Sequence, residues 1–155
     1  MNVVLVEPEI PPNTGNIARL CAASATTLHL IEPFGFALEN KQLKRAGLDY
    51  WPHLHWHRWT NWSEFEKQIP SDARLWLIES NGPKNYAAVQ YAANDYLIFG
   101  RETAGLPKPI LDRYRDGWLR IPMFHARVRS LNLSNCVALV LYEALRQQGF
   151  HGEVQ

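Results

Sequence analysis

Two cysteines among 155 residues make no disulfide framework. Cys21 and Cys136 both fall in apolar helical patterns, so they read as small buried side chains in a reducing, cytoplasmic setting. No apolar run approaches the roughly 18 residues needed to cross a bilayer. No basic segment precedes a long apolar one near Met1, so no signal peptide is expected. GKS and GKT triplets are absent, as is GxGxxG, which excludes a P-loop and the dinucleotide fingerprint. Charge of one sign is also lacking: the net charge of +1 marks no nucleic-acid binder by itself. There is no repeat, low-complexity tract or long linker, and residues 1–155 are expected to form a single domain.

What is present is an alternation of short apolar runs and amphipathic stretches, in a chain of ordinary globular composition (46% hydrophobic, 20% charged). Strands are expected over Val3–Val6, Leu28–Glu32, His53–His57, Arg74–Glu79, Tyr96–Gly100 and Trp118–Pro122. Helices are expected over Gly15–Ala25, Asn40–Ala46, Ser63–Gln68, Pro107–Tyr114 and Leu133–Gln148, with Gly149 as a C-terminal stop. The first has Ala18, Cys21, Ala22 and Ala25 on one face, and the last carries a stripe of Leu133, Val137, Val140, Leu141, Ala144 and Leu145. Runs such as LWLI and YLIF are apolar throughout, which suits a parallel sheet covered on both faces. The class is α/β, doubly wound.

Ligands of such folds bind beyond the carboxyl ends of the strands. There the chain places PPNTGN, SNG (80–82), RETAGLP (101–107) and MFHARVRSLNLSN (123–135), so its glycines, asparagines and serines gather at one sheet edge. In PPNTGN, Asn13 or Thr14 would cap a helix and the prolines would stiffen its approach, which leaves a second asparagine, Asn16, without a task. Arg19, on the first turns of a helix beginning at Gly15, would oppose the helix dipole and therefore needs another partner. Gly100 and Gly105 bracket Glu102; a glycine directly after an apolar strand permits close approach of a ligand, although a plain turn reads the same way. Ser130, Asn132 and Ser134 could each cap the last helix, which needs only one.

Two further features stay open. Between Arg113 and Arg129 five arginines face one acid, Asp116, a local +4 that suits either a phosphate-contacting patch or a solvated face. His53, His55 and His57 alternate on one predicted strand and would share a face. No carboxylate or cysteine stands at ligand spacing beside them, so packing is preferred to a metal site. The tryptophans at 51, 56, 59 and 62 suit packing better than base stacking.

With those residues in hand, the chain resembles the SPOUT-class methyltransferases of the SpoU branch. Within that class it is similar to small single-domain enzymes that methylate the ribose 2′-hydroxyl of the tRNA wobble nucleotide, cytidine or uridine. The similarity runs from VLVEPEIPPNTGNIARLCA through LHLIEPFGF and KRAGLDY to DYLIFGRETAGLP and RIPM…RSLNLSNCVALVLYEALRQ, and is weakest between Trp51 and Tyr91. The resemblance implies a doubly wound, mainly parallel sheet with a C-terminal deep trefoil knot. It further implies S-adenosylmethionine as cofactor, S-adenosylhomocysteine as product, no metal, tRNA as partner, and a homodimer packed through the C-terminal helix with each site completed by the second copy. By correspondence the catalytic residues are Asn13, Arg19, Glu102 and Asn132, and the cofactor-binding residues Ile78, Gly100, Ile121, Ser130 and Leu131. The chain departs from relatives that read FGPETRGLP by carrying Arg101 and Ala104, and its stretch between IPM and RSLN is one residue longer. Arg19, whose guanidinium is too basic to accept a proton readily, is expected to bind a developing alkoxide or a phosphate. The same chemistry on another tRNA or rRNA position, and a non-catalytic RNA- or nucleotide-binding module, are the alternative readings.

Overall fold

The computed structural model of the chain describes residues 1–37 and 50–154. The helix expected over Asn40–Ala46 lies outside the described residues. Seven parallel strands form one sheet: β1 (Asn2–Val6), β2 (Thr27–Ile31), β3 (Trp56–Trp59), β4 (Leu75–Ile78), β5 (Lys84–Asn85), β6 (Tyr96–Phe99) and β7 (Trp118–Arg120). Their order across the sheet is β3-β2-β1-β6-β4-β7-β5. The described helices are α1 (Pro11–Ala23), α2 (Trp62–Glu66), α3 (Lys108–Arg113) and α4 (Leu133–Gln147).

The apolar strands are explained by cover on both sides. Val3, Leu5, Leu28, Leu30, Leu97 and Phe99 point to one face and pack with Ile17, Ala18 and Cys21 of α1 and Val137, Val140, Leu141 and Ala144 of α4. Their alternates Val4, Val6, Ile31, Tyr96 and Ile98 point to the other, against Phe65 of α2 and Ile110 of α3. Residues on a strand alternate between faces, so a strand buried on both sides has no polar positions to show.

Three expectations are corrected. The first helix begins at Pro11, not Gly15, with Ile10 as N-cap and no side-chain cap. Its first two positions are prolines, which lack the amide hydrogens a cap would satisfy, so neither Asn13 nor Thr14 is needed for that task. Ala25 lies beyond the helix at φ +50°. The third strand is Trp56–Trp59, and His53 sits in a separate 3-10 turn, Trp51–His53, so the three histidines do not share one strand face. The two-residue strand β5 was not expected; it is too short to carry a period. At the far end, Gly149 does terminate α4, at φ +71°.

His29 of β2, absent from the sequence reading, is the buried member of the histidine group. Its Nδ1 accepts from Trp59 Nε1 at 3.2 Å. An indole nitrogen can only donate, so the imidazole proton lies on Nε2, 3.2 Å from Asn2 Oδ1. His57 stacks on the ring at 5.3 Å. Burial first, and then the neighbouring His57 and His55, push the pKa from 6.5 down to about 4. The unfolded chain therefore binds a proton that the folded chain refuses, and the stability present above pH 6.5 is lost as pH falls toward 4, by about 3 kcal/mol at most. Urea denaturation should show that loss between pH 6.5 and 4. His29→Gln, which retains an acceptor for Trp59 and a donor for Asn2, should flatten it.

Candidate active site

The loops that leave β1, β4, β6 and β7 converge at the carboxyl edge of the sheet around a cavity of about 540 Å³, within the usual size range of small-molecule sites. Ile78, Gly100, Ile121, Ser130 and Leu131 all line it, as do Asn13, Glu102 and Asn132. Arg19 does not. A helix that starts at Pro11 carries Arg19 on its third turn, about 12 Å along the axis from the cavity end. There it is exposed, with its guanidinium carbon 4.7 Å from the centre of the Tyr50 ring. The expected first-turn position rested on the late helix start and falls with it.

The three motifs meet in one hydrogen-bonded chain. The Glu102 carboxylate accepts from the backbone N–H of Glu9 at 2.8 Å and of Ile10 at 3.1 Å, and from Asn13 Nδ2 at 3.2 Å. Asn13 Oδ1 accepts from Asn132 Nδ2 at 2.9 Å. Asn132 Oδ1 in turn accepts from Ser134 N at 2.9 Å and Ser134 Oγ at 2.7 Å, which makes Asn132 the N-cap of α4. The donors run in one direction, from α4 through the start of α1 to the loop after β6. Glu9 returns the contact: its carboxylate accepts from Thr103 N at 3.0 Å and from Thr103 Oγ1 at 2.9 and 2.8 Å. Those bonds hold its pKa below the usual value. A carboxylate ahead of α1 also complements the positive end of the helix dipole.

The loop after β6 is shaped by its glycines. Arg101 and Gly105 exchange backbone hydrogen bonds at 3.1 and 3.0 Å and close residues 101–105 into a tight turn. A Cβ on Gly100 would lie 2.1 Å from the Gly105 carbonyl carbon, and Gly105 itself stands at φ +67°. Neither position accommodates a side chain. Arg101 pairs with Glu7 at 2.5 Å, while its Nε is buried without a hydrogen-bond partner.

Sequence reasoning missed Glu79 and Cys136, both in the cavity wall. Glu79 Oε1 accepts from Leu106 N at 2.5 Å and so ties the end of β4 to the loop after β6. Burial raises its pKa, against the opposing pull of the Leu106 and Ser80 backbone donors. Its signal was an acid closing an otherwise apolar strand. Cys136 sits on the first turn of α4, behind Leu131, and its apolar context concealed it.

A cavity built from strand-end loops of a parallel sheet, with three separated polar motifs bonded across it, defines a class of α/β enzyme rather than a single activity. Residues 1–142 match the SpoU rRNA Methylase family, and the chain belongs to that family. It is 51% identical over 154 residues to the tRNA (cytidine(34)-2'-O)-methyltransferase of Saccharophagus degradans, covering 97% of each chain. It is 49% identical over 156 residues to the enzyme of the same name from Escherichia coli K12, covering 99% of this chain and 98% of that one. A solved structure concerned with 2-OH methylation of C/U34 on tRNA superposes with a TM-score of 0.92 at 43% identity, over 97% of both chains.

Glu102→Ala should destabilise the fold by about 2–3 kcal/mol, because it strands two backbone donors and one amide. Glu102→Gln, which keeps one acceptor oxygen, should cost less. Urea midpoints of the two variants check the order.

Proposed function

We propose that this chain transfers a methyl group from S-adenosylmethionine to the ribose 2′-hydroxyl of the wobble nucleotide, cytidine or uridine, of tRNA. The observation that carries the reading is the bonding of Asn13, Glu102 and Asn132 around the cavity, in a chain about half identical to two tRNA position-34 methyltransferases over nearly its whole length. On this reading the C-terminal segment threads a loop to form a deep trefoil knot, and the three loops of that knot are the cavity walls.

The cavity suits the cofactor. Its volume admits a nucleoside-sized ligand, Gly100 contributes backbone to the wall, and Ile78, Ile121 and Leu131 provide apolar surface. Ser130 adds a hydroxyl, the Glu79 carboxylate complements positive charge, and the orphaned Arg101 Nε is a donor that a ligand would satisfy. When bound, S-adenosylmethionine supplies a methyl already activated by its sulfonium charge. The residues need then do little but orient the ribose and accommodate its proton. Asn13, Glu102 and Asn132 are committed to one another, so they hold the wall in place.

Arg19 stands outside this cavity, and a second copy of the chain would have to bring it in. We place it at the partner's ribose, where a permanently charged guanidinium grips a phosphate or steadies the developing alkoxide rather than removing the proton. The half-exposed Leu139 and Tyr142 of α4, 43% and 47% exposed, supply apolar surface for the homodimer contact.

Labelled methyl from S-adenosylmethionine, offered with total tRNA from cells lacking this protein, should appear after nuclease digestion as a 2′-O-methyl nucleotide at position 34. Label at another nucleotide, or in ribosomal RNA alone, overturns the assignment. Arg19→Ala should lose at least about a hundredfold in kcat while cofactor affinity and sedimentation as a dimer stay unchanged. Undiminished methyl transfer by that variant, or a wild-type monomer that is fully active, removes Arg19 from the site.

A further inference from the structure

The segment from Ile121 to Asn132 joins β7 to α4 along the cavity rim, with Met123 and Arg129 in the wall. Between them Phe124 is 98% exposed, more than any other large apolar side chain described. It does not dangle from an unstructured stretch. Immediately after it, Val128 N donates to His125 O at 3.1 Å and Arg127 N to His125 Nδ1 at 3.2 Å, a closed turn that leaves the phenyl ring in water.

Charge along the segment that carries the ring has one sign, although Glu79 and Glu102 stand elsewhere in the cavity wall. From Gly117 to Tyr142 the chain contains no acid, while Arg120, Arg127 and Arg129 are all cationic. Arg120 is occupied by the carbonyls of Gly82 and Pro83. The Arg127 and Arg129 side chains have no hydrogen bond or ion pair among the described residues. A bare aromatic ring flanked by two free guanidinium groups, beside a cavity, has the composition of a single-stranded nucleic-acid contact: the ring for a base, the cations for phosphates. An apolar protein surface on the ring would instead leave both charges to be desolvated without partners.

We propose that Phe124 is a stacking platform for a nucleobase of the anticodon loop adjoining the methylated ribose, with Arg127 and Arg129 on the neighbouring phosphates. The proposal rests on the tRNA reading above and names a substrate contact within it.

The test compares Phe124→Ala, Phe124→Leu and Phe124→Trp in the full-length protein. The probe is a transcript of the anticodon stem-loop that the wild type has first been shown to methylate, so that failure of the tRNA reading is seen before any variant is made. Phe124→Ala and Phe124→Leu should each raise KM for the RNA about tenfold. The kcat, the KM for S-adenosylmethionine and the sedimentation coefficient should be unaltered. Phe124→Trp should keep the wild-type KM, because an indole presents a π-face and a leucine does not. Arg127→Ala should lower the slope of log KM against log salt by about one. A wild-type KM for Phe124→Ala overturns the proposal. So does Phe124→Leu matching Phe124→Trp, which would mean plain apolar contact. A changed sedimentation coefficient for Phe124→Ala would show that a second copy, not RNA, covers the ring, and would overturn it too.

Discussion

The Glu102 carboxylate, with its bonds to the backbone of Glu9 and Ile10 and to Asn13, holds the loop after β6 against the start of α1. Asn13 passes the constraint to Asn132, and Asn132 fixes the first turn of α4. Each of these segments leaves a different strand of the sheet: β1 and β6 are paired neighbours, but β7 stands two strands beyond β6, so strand pairing alone does not bring all three loops together. An irregular loop carries backbone groups that need partners, and a partly buried carboxylate needs donors. One network answers both needs and leaves a gap of defined shape between the loops.

This arrangement changes how the polar residues of the site are understood. Three of the side chains that stand out in the sequence as catalytic candidates, Asn13, Glu102 and Asn132, are hydrogen-bonded to one another. Beside them, the cavity is lined by residues with little chemistry of their own: the backbone at Gly100, and the apolar sides of Ile78, Ile121 and Leu131. For a methyl transfer that suffices, since the donor is already activated and orientation is the larger part of the barrier. Glu79 extends the same logic by binding Leu106 from the end of β4. The cavity wall is a set of loop positions held by hydrogen bonds between distant segments.

Regularity made most of the fold legible. The solid apolar runs at Val3–Val6, Tyr96–Phe99 and Leu75–Ile78 announced a covered parallel sheet, and the stripe of Leu133 to Leu145 announced a helix that buries Val137, Val140, Leu141 and Ala144. Segments without a period are not legible in this way. The paired prolines at 11 and 12 read as an approach to a helix but occupy its first turn, and a start four residues earlier places Arg19 in the middle of the helix rather than at its beginning. The alternation of His53, His55 and His57 suggested one strand face, but His53 belongs to a turn and the buried histidine is His29, which alternates with nothing.

Amino-acid sequence alone determined the class and the edge of the sheet where the site lies, and the family resemblance pointed to nine site positions, of which eight line the cavity. It could do so because strand period, glycine placement and motif order are local properties of the chain. Only the tertiary structure decided which of those positions bond to one another. Asn13 and Asn132 are 119 residues apart, Asn13 and Glu102 are 89 apart, and hydrogen bonds across such spans depend on loops meeting in space. The same is true of Arg19, whose place outside the cavity follows from where a helix begins and which ring it meets, Tyr50.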